Sequence, residues 1–260
     1  MEHSLSPVIH NAGYAALGLD WVYLGFQVRA GGGAAAVQAA RTLGLRGLSV
    51  TMPHKADVVV AADELSPAVG KLGSANTIVL EGGRARAHDT DGPGLIRALR
   101  EELRFEPEGK RCLVVGTGGA ARAIILGLAE SGAGSVAVLG RSRQRAEEAA
   151  LLAGERGQAV TEPEEADLVV SATPALDAGG PLATARFGAG QLVVDVVYDP
   201  PETELLRRAA FGGARVTNGL AMLVHQAALQ FKLFTGEDAP LAAMWAAVRG
   251  VAVPPTNLSR

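Results

Sequence analysis

The feature that most constrains the fold is the segment Leu113–Arg122, where an apolar run leads into a glycine-rich turn and then a helical pattern. Glycines stand at Gly116, Gly118 and Gly119, followed by Ala120. Glycine lets the backbone turn sharply and approach a pyrophosphate, whose charge is met by free amides at a helix N-terminus. A strand before the turn and another about 20 residues later favour a dinucleotide site over a structural turn.

The turn after that second strand indicates which dinucleotide is bound. Residues 140–145 contain three arginines and no carboxylate. An acidic residue at this place hydrogen-bonds a ribose 2′-hydroxyl, whereas arginine binds a 2′-phosphate. We therefore expect NADP(H) rather than NAD, with Arg141, Ser142 and Arg145 at the cofactor. A solvated basic helix start is the alternative interpretation.

The apolar pattern around this motif predicts an α/β fold. Beyond residue 109, extended segments at 112–115, 136–139, 168–171, 192–197 and 215–216 alternate with helical stretches, the order of a doubly wound parallel sheet. The first third predicts a smaller α/β region with a mixed sheet. Its expected elements are a helix over 7–18 with Ser6 as N-cap, a strand over 21–28, a helix to about residue 43, a strand over 47–51, a helix starting at Pro53 and a hairpin over 76–88.

Composition narrows the classes of function. Apolar residues make up 48% of the 260, which is enough to form a hydrophobic core. The net charge of −3 makes nucleic acid an unlikely partner. A single cysteine, Cys112, cannot form an intrachain disulfide, which favours a reducing compartment, and we expect a cytoplasmic location. We see neither a signal peptide nor a membrane span, and the five histidines lack ligand spacing, so we expect no metal. Aromatic residues at 4% suit a small polar substrate.

A second motif, Ser49–Lys55, turns from a predicted strand into a predicted helix. Lys55 is one of only four lysines among 24 basic residues. Its ammonium can take part in proton transfer, a role that arginine cannot fill. Taken alone, a surface lysine on the first turn of a helix is the default interpretation.

Several segments in this order and spacing resemble the shikimate dehydrogenase family, throughout the chain. They are residues 4–7, 51–55, 75–77, 89–92, 116–123, 172–174, 195–198 and 218–227. The resemblance implies reversible NADPH-dependent reduction of 3-dehydroshikimate to shikimate, in aromatic amino-acid biosynthesis, with the active site in a cleft between two domains. It implies a substrate-binding domain over 1–92, completed by helices at about 222–260, and a Rossmann-type NADP-binding domain over 93–221.

The resemblance also implies roles for single residues. Lys55 and Asp91 would form the catalytic pair, with Asp91 keeping the ammonium charged and aimed. Ser4 and Ser6 would hold the substrate carboxylate, with Tyr198 nearby. The remaining substrate contacts would come from Thr51, Asn76 and Gln226, and further cofactor contacts from Thr173, Gly219 and Met222.

The chain departs from the family pattern at a few places. Asp89 stands where the family usually has asparagine, and it adds a carboxylate near Lys55. Gly140 and Ser171 each replace an asparagine near the adenosine. Members also carry a strand ahead of the His3–Pro7 motif, which here follows Met1 and Glu2 at once. We therefore expect an exposed sheet edge.

The sequence leaves two alternative functions open. One is a quinate or quinate/shikimate dehydrogenase, since quinate differs by a ring hydroxyl. The other is a non-catalytic ligand-sensing relative, against which the presence of both Lys55 and Asp91 weighs. We expect a monomer or homodimer.

Overall fold

The computed structural model describes residues 4–174 and 180–249. Contacts within the chain divide it into two compact units. Of the described residues, unit 1 comprises those up to Gly94 together with 223–249, and unit 2 comprises those from Leu95 to Met222. Within the described ranges no helix has the length and apolar character needed to cross a membrane.

Unit 1 contains the predicted mixed sheet, of four strands in the order β1-β3-β4-β2. β3 pairs antiparallel with both β1 and β4, and β2 pairs parallel with β4. The elements before the boundary are α1 (Ser6–Ala16), α2 (Gly33–Thr42), β1 (Gly47–Ser49), a 3-10 helix (Val59–Ala61), β2 (Glu64–Leu65), α3 (Pro67–Leu72), β3 (Thr77–Glu81), β4 (Arg84–His88) and the start of α4 (Asp91–Glu101).

The hairpin predicted over 76–88 is present. Glu81 pairs with Arg84, which leaves Gly82 and Gly83 as the two-residue turn. Both glycines have positive φ, 57° and 78°, as the tight turns that suit twisted strands require. The same strands place residues 89–91 directly after β4, at the point where α4 begins.

The strand predicted over Trp21–Val28 is absent, although its apolar residues alternate. No described strand lies beside this segment. The backbone of Tyr23 bonds instead to the side chain of Asn11, with Tyr23 N donating to Oδ1 at 2.7 Å and Asn11 Nδ2 donating to Tyr23 O at 3.0 Å. Val22, Leu24 and Phe26 stay 58–70% exposed. Periodicity alone does not make a strand where no neighbour pairs with it.

The prediction of a helix starting at Pro53 is also wrong. Residues 52–58 form successive turns that end in the 3-10 helix Val59–Ala61. The carbonyl of Lys55 is taken by Ala75 N at 2.8 Å, and Val59 N turns to Ala56 O at 3.2 Å. A tertiary backbone bond therefore replaces the helical one, and it ties Lys55 to the segment before β3.

Unit 2 is the predicted doubly wound α/β fold. Its six parallel strands have the order β10-β9-β8-β5-β6-β7. The elements are the rest of α4, β5 (Arg111–Val115), α5 (Gly119–Glu130), β6 (Ser135–Leu139), α6 (Arg143–Ala150), a 3-10 helix (Leu151–Arg156), β7 (Gly157–Val160), β8 (Leu168–Ser171), β9 (Leu192–Asp195), α7 (Glu204–Phe211) and β10 (Arg215–Thr217). The chain then enters α8 (Leu220–Thr235), which continues into unit 1 and is followed there by α9 (Leu241–Val248).

The central strand β5 shows how this sheet is buried on both faces. Cys112 and Val114 belong to one apolar cluster, whereas Leu113 and Val115 belong to another on the opposite face. Both sides of a parallel sheet are normally covered, which explains the continuous apolar run in the sequence. Burial raises the pKa of Cys112 to about 12, with a smaller contribution from a nearby acidic residue, so the thiol is not a nucleophile near neutral pH.

Candidate active site

The sequence brings Lys55 and Asp91 together although 36 positions separate them. The Lys55 ammonium binds Oδ2 of Asp91, and the two side chains are 12% and 10% exposed. This corrects the expectation that Lys55 lies at an exposed helix start. A lysine and a carboxylate this deeply buried need each other, because either one alone would be an uncompensated charge.

Asn76 holds the other oxygen of the carboxylate. Its Nδ2 donates to Asp91 Oδ1 at 2.7 Å and to Thr90 Oγ1 at 2.9 Å, and its Oδ1 accepts from Thr90 N at 2.9 Å and from Thr77 Oγ1 at 2.7 Å. Asn76 is 2% exposed. Its amide is thus largely committed within the protein, and it fixes the orientation of Asp91.

The charges around Lys55 decide its protonation state. Burial alone would lower the pKa of Lys55, but the charge of Asp91, the hydrogen bond to Asp91 and the charge of Asp89 raise it above its usual value. The side chain is therefore an ammonium at neutral pH. A buried ammonium beside an orienting carboxylate can donate a proton to an oxygen that develops negative charge.

Gln226 on α8 lies next to this network. Thr90 Oγ1 donates to Gln226 Oε1 at 3.4 Å, and Gln226 Nε2 donates to Leu223 O at 3.0 Å. A side chain at Gly94 would come within 2.6 Å of the Cβ of Gln226. The glycine therefore permits the close approach of α4 and α8 that places Gln226 here.

Ser4 and Ser6 stand at the beginning of α1. Ser6 N donates to Ser4 Oγ at 3.4 Å, and Ser6 is the first residue of the helix. This corrects the expectation that Ser6 is the N-cap: Leu5 occupies that position, and no described side chain caps the helix. The Ser6 amide is engaged by Ser4 and Pro7 has no N–H, so it is the two hydroxyls and the positive end of the helix dipole that suit a carboxylate here.

Two other predicted substrate residues, Thr51 and Tyr198, are more exposed than Asn76. Thr51 follows β1 and is exposed, so its hydroxyl is free to meet a ligand. Tyr198 lies in unit 2 after β9 and is partly exposed.

In unit 2 the glycine turn follows β5 where the strand order reverses, because β6 pairs with one side of β5 and β8 with the other. Gly116 has φ of +124°, and a side chain there would meet Ala172 O at 2.9 Å. A Cβ at Gly118, by contrast, would meet no described atom within 4 Å. The turn therefore needs Gly116 for its own backbone and is open at Gly118, in the place where α/β sheets bind ligands.

The helix that follows this turn begins at Gly119, with Ala120 next. Gly118 is its N-cap, and no described side chain caps it. The first-turn amides therefore face an open position, as an anion site requires.

The basic turn after β6 leads directly into α6. Ser142 caps α6 by accepting from Arg145 N at 3.4 Å. Arg143 is already engaged, since its Nε donates to Glu147 Oε1 at 2.8 Å. Arg141 is exposed and precedes the helix. A side chain at Gly140 would come within 2.8 Å of the Thr117 methyl, so Gly140 lets this turn approach the glycine turn.

The three remaining cofactor candidates also lie in unit 2. The Thr173 methyl is 3.3 Å from the Cβ position of Gly116, so Thr173 flanks the glycine turn. Gly219 packs against Val196, whose carbonyl oxygen would be 2.0 Å from an added Cβ. Met222 is 8% exposed and packs in the apolar core. The close backbone contact at Gly219 excludes any side chain, whatever ligand binds there.

The structure adds Thr90 and Gln230 to the predicted residues of unit 1. Gln230 Nε2 donates to Thr77 Oγ1 at 2.9 Å, and Gln230 Oε1 accepts from Ser49 Oγ at 2.8 Å. The signal for Gln230 was its spacing, since it lies four residues after Gln226 and so on the same face of α8. Among the described residues no three His, Cys, Asp or Glu side chains group as metal ligands would.

A buried ammonium that delivers a proton serves a carbonyl reduction when a nucleotide site in the same chain supplies the hydride. Unit 2 has the sheet and the open glycine turn of such a site, and unit 1 has the ammonium. The fold and site therefore define a nicotinamide-dependent dehydrogenase.

Comparison with known proteins supports the same class of enzyme. Family models match residues 1–78 (shikimate dehydrogenase substrate binding domain), 219–249 (shikimate 5′-dehydrogenase C-terminal domain) and 111–198 (NADP oxidoreductase, coenzyme F420-dependent). The chain belongs to the shikimate dehydrogenase family. A curated shikimate dehydrogenase (NADP(+)) of Moorella thermoacetica is 42% identical over 94% of this chain and 88% of its own.

Solved structures show the same likeness. A shikimate dehydrogenase in complex with NADP+ superposes with a TM-score of 0.88 at 31% identity, covering 96% of this chain and 92% of its own. A quinate dehydrogenase from Corynebacterium glutamicum in complex with NAD gives a TM-score of 0.85 at 31% identity, covering 95% and 94%. Both expected folds, the mixed-sheet unit and the Rossmann-type unit, thus have experimental counterparts.

Proposed function

We propose that this protein catalyses the reversible reduction of 3-dehydroshikimate to shikimate with NADPH. The observation that carries the proposal is the buried Lys55–Asp91 pair, in a chain 42% identical to a curated NADP-dependent shikimate dehydrogenase. A ligand sensor would have no need to bury two opposite charges in its binding site, since burying charge is costly.

Lys55 is the proton donor in this proposal. As the substrate carbonyl is reduced, its oxygen becomes an alkoxide, which the ammonium stabilises and then protonates. In the reverse direction the neutral amine accepts the proton of the substrate hydroxyl. Asp91 orients Lys55 and favours its charged form, while Asn76 holds Asp91 from the other side.

The polar residues of unit 1 orient the substrate. Ser4 and Ser6 bind its carboxylate at the start of α1, and the exposed Thr51 hydroxyl and the amide of Gln226 bind ring hydroxyls. Tyr198, in unit 2, is a further candidate for binding the substrate. Asn76 has little hydrogen-bonding capacity left, so its contribution is mainly to hold Asp91.

The residues of unit 2 fit NADP(H). The turn is open at Gly118, and the uncapped start of α5 offers the amides of Gly119 and Ala120 to the pyrophosphate. Arg141, with Ser142 and Arg145, meets the 2′-phosphate. Thr173 flanks the turn, and Gly219 and Met222 form the nicotinamide side. Bound NADPH supplies the hydride.

One experiment tests substrate and cofactor together. Absorbance at the reduced-nicotinamide band is followed with shikimate or quinate, each with NADP or NAD. We expect the fastest change with shikimate and NADP. Turnover with none of the four mixtures would contradict the proposal and favour a ligand-binding relative.

Quinate oxidation is a second candidate, because a quinate dehydrogenase matches the fold at a TM-score of 0.85. That enzyme was solved with NAD, whereas the turn after β6 here carries arginines and no carboxylate. A higher kcat/KM for quinate than for shikimate would decide for this alternative. We further propose action in aromatic amino-acid biosynthesis in the cytoplasm, as a monomer or homodimer, which fractionation and sedimentation would test.

A further inference from the structure

Asp89 is a buried carboxylate beside the catalytic pair that the proposed mechanism does not use. It follows β4 directly and is 8% exposed. Its Oδ1 accepts from Asp91 N at 3.0 Å, at the start of α4. Its Oδ2 is fully buried and receives no hydrogen bond from any residue that the structure describes.

One oxygen of the Asp89 carboxylate therefore accepts a hydrogen bond, whereas the other accepts none from the described residues. A buried oxygen without a donor is far more costly as an anion than as part of a neutral carboxyl group. The charged groups that act on it are Asp91, from its own segment, and Lys55, from the turn after β1. One ammonium thus faces two carboxylates, and Asp91 has taken both the direct contact with it and the amide of Asn76.

This arrangement makes Asp89 the carboxylate that holds a proton most readily. Burial chiefly, and the charge of Asp91 in addition, raise the pKa of Asp89 to about 7, against the opposing effect of Lys55 and of the backbone amides of Asp91 and Gly92. The influence is mutual, because the ionised form of Asp89 is one of the causes that raise the pKa of Lys55.

We propose that Asp89 is a positioning residue whose own gain or loss of a proton sets how tightly Lys55 holds its proton. With Asp89 neutral, the ammonium faces one negative charge and gives up its proton more easily. With Asp89 ionised, a second negative charge stabilises the ammonium. The inference about rates rests on the proposed function, whereas the ionisation of Asp89 does not.

The first test compares pH profiles of ketone reduction for the unaltered enzyme and Asp89→Asn, which keeps the Oδ1 acceptor. In the variant Lys55 keeps Asp91 but lacks the second negative charge at every pH, so the decline of kcat/KM at high pH is expected to begin at lower pH. At about pH 6, where Asp89 is mostly protonated, the two enzymes should differ by far less than the roughly hundredfold loss of an acid/base group. Asp20→Asn, which removes an exposed carboxylate of unit 1, is the control and should leave the profile unchanged.

The second test needs no turnover. With ¹³C-labelled aspartate carboxyl groups, NMR should show one resonance that titrates near neutrality, absent in Asp89→Asn and present in Asp20→Asn. That measurement on the unaltered protein decides the question even if Asp89→Asn does not fold. A carboxyl titration near neutrality without turnover of any acid would contradict the proposed function only. Aspartate resonances that all titrate below about pH 5, as ordinary carboxylates do, would overturn the inference about Asp89.

Discussion

Lys55 and Asp91 form an ion pair in which each side chain is about nine-tenths buried. The pair is therefore part of the folded core of unit 1 as well as part of its chemistry. For that reason we expect the removal of Lys55 to affect folding as well as activity. Losing the ammonium would leave the Asp91 carboxylate without its counter-ion in a buried place that already contains Asp89.

We predict that Lys55→Ala lowers turnover at least about 100-fold and also lowers the free energy of unfolding, by about 3–5 kcal/mol. Thermal melting and steady-state rates measure the two effects. The double variant Lys55→Ala with Asp91→Asn removes both charges, so it should recover much of the stability and none of the activity. Activity within a fewfold of the unaltered enzyme in Lys55→Ala would show that another group delivers the proton.

The folding stability should depend on pH through Asp89. Its pKa is raised on folding from about 4 to about 7, so the folded state retains the proton more strongly than the unfolded chain does. The resulting penalty on stability is absent below the unfolded pKa, grows between the two values and is complete above about pH 7. Relative to the unaltered protein, Asp89→Asn should therefore gain stability as pH rises from 4 to 8. A melting-temperature difference that does not change with pH would contradict this.

The cofactor preference should change with Arg141→Asp. An arginine contact to a 2′-phosphate becomes a repulsion, so affinity for NADP should fall much more than affinity for NAD. Arg143→Asp makes the same change of charge two residues away, but its guanidinium is engaged by Glu147, so its effect should be smaller. Equal losses for NADP and NAD in Arg141→Asp would indicate that Arg145 or Arg143 binds the phosphate.

Two glycines of the same turn should respond differently to alanine. At Gly116 the positive φ and the nearby carbonyl of Ala172 make a methyl group costly, so Gly116→Ala should lower the melting temperature. At Gly118 the methyl meets no described atom, so Gly118→Ala should change stability little and weaken NADP binding by occupying the open position. Fluorescence titration and thermal melting separate the two effects. Unchanged NADP affinity in Gly118→Ala would place the pyrophosphate elsewhere.

Locally encoded features could be predicted from the sequence. The glycine turn after β5 and the Gly82–Gly83 hairpin depend on residues within a few positions of one another, and both have the expected form. Five strands of the unit 2 sheet followed from alternating apolar segments, whereas the short strand β7 was missed because Gly157–Val160 has few apolar residues. Strand β2 and helix α3 were missed as well, even though Ser66 caps α3 and Gly73 ends it in a left-handed conformation.

Features that depend on distant partners could not be read from periodicity. The segment 21–28 alternates as a strand does, yet its backbone bonds to the side chain of Asn11. The turn that carries Lys55 is shaped by Ala75, 20 residues away. The pairing of Lys55 with Asp91 was expected only because the chain resembles a known family. No local pattern shows that Oδ2 of Asp89 lacks a donor.

The place of α8 in the chain has a consequence for biosynthesis. Gln230 is the hydrogen-bond partner of Ser49 and Thr77, yet it is translated more than 150 residues after either of them. At roughly 5–20 residues per second, a ribosome needs on the order of ten seconds to cover that interval. Throughout this time the nascent unit 1 lacks the helix that completes its polar network, and the described strands of unit 2 are all made before that helix. The substrate half of the enzyme, although translated first, is therefore the half that matures last.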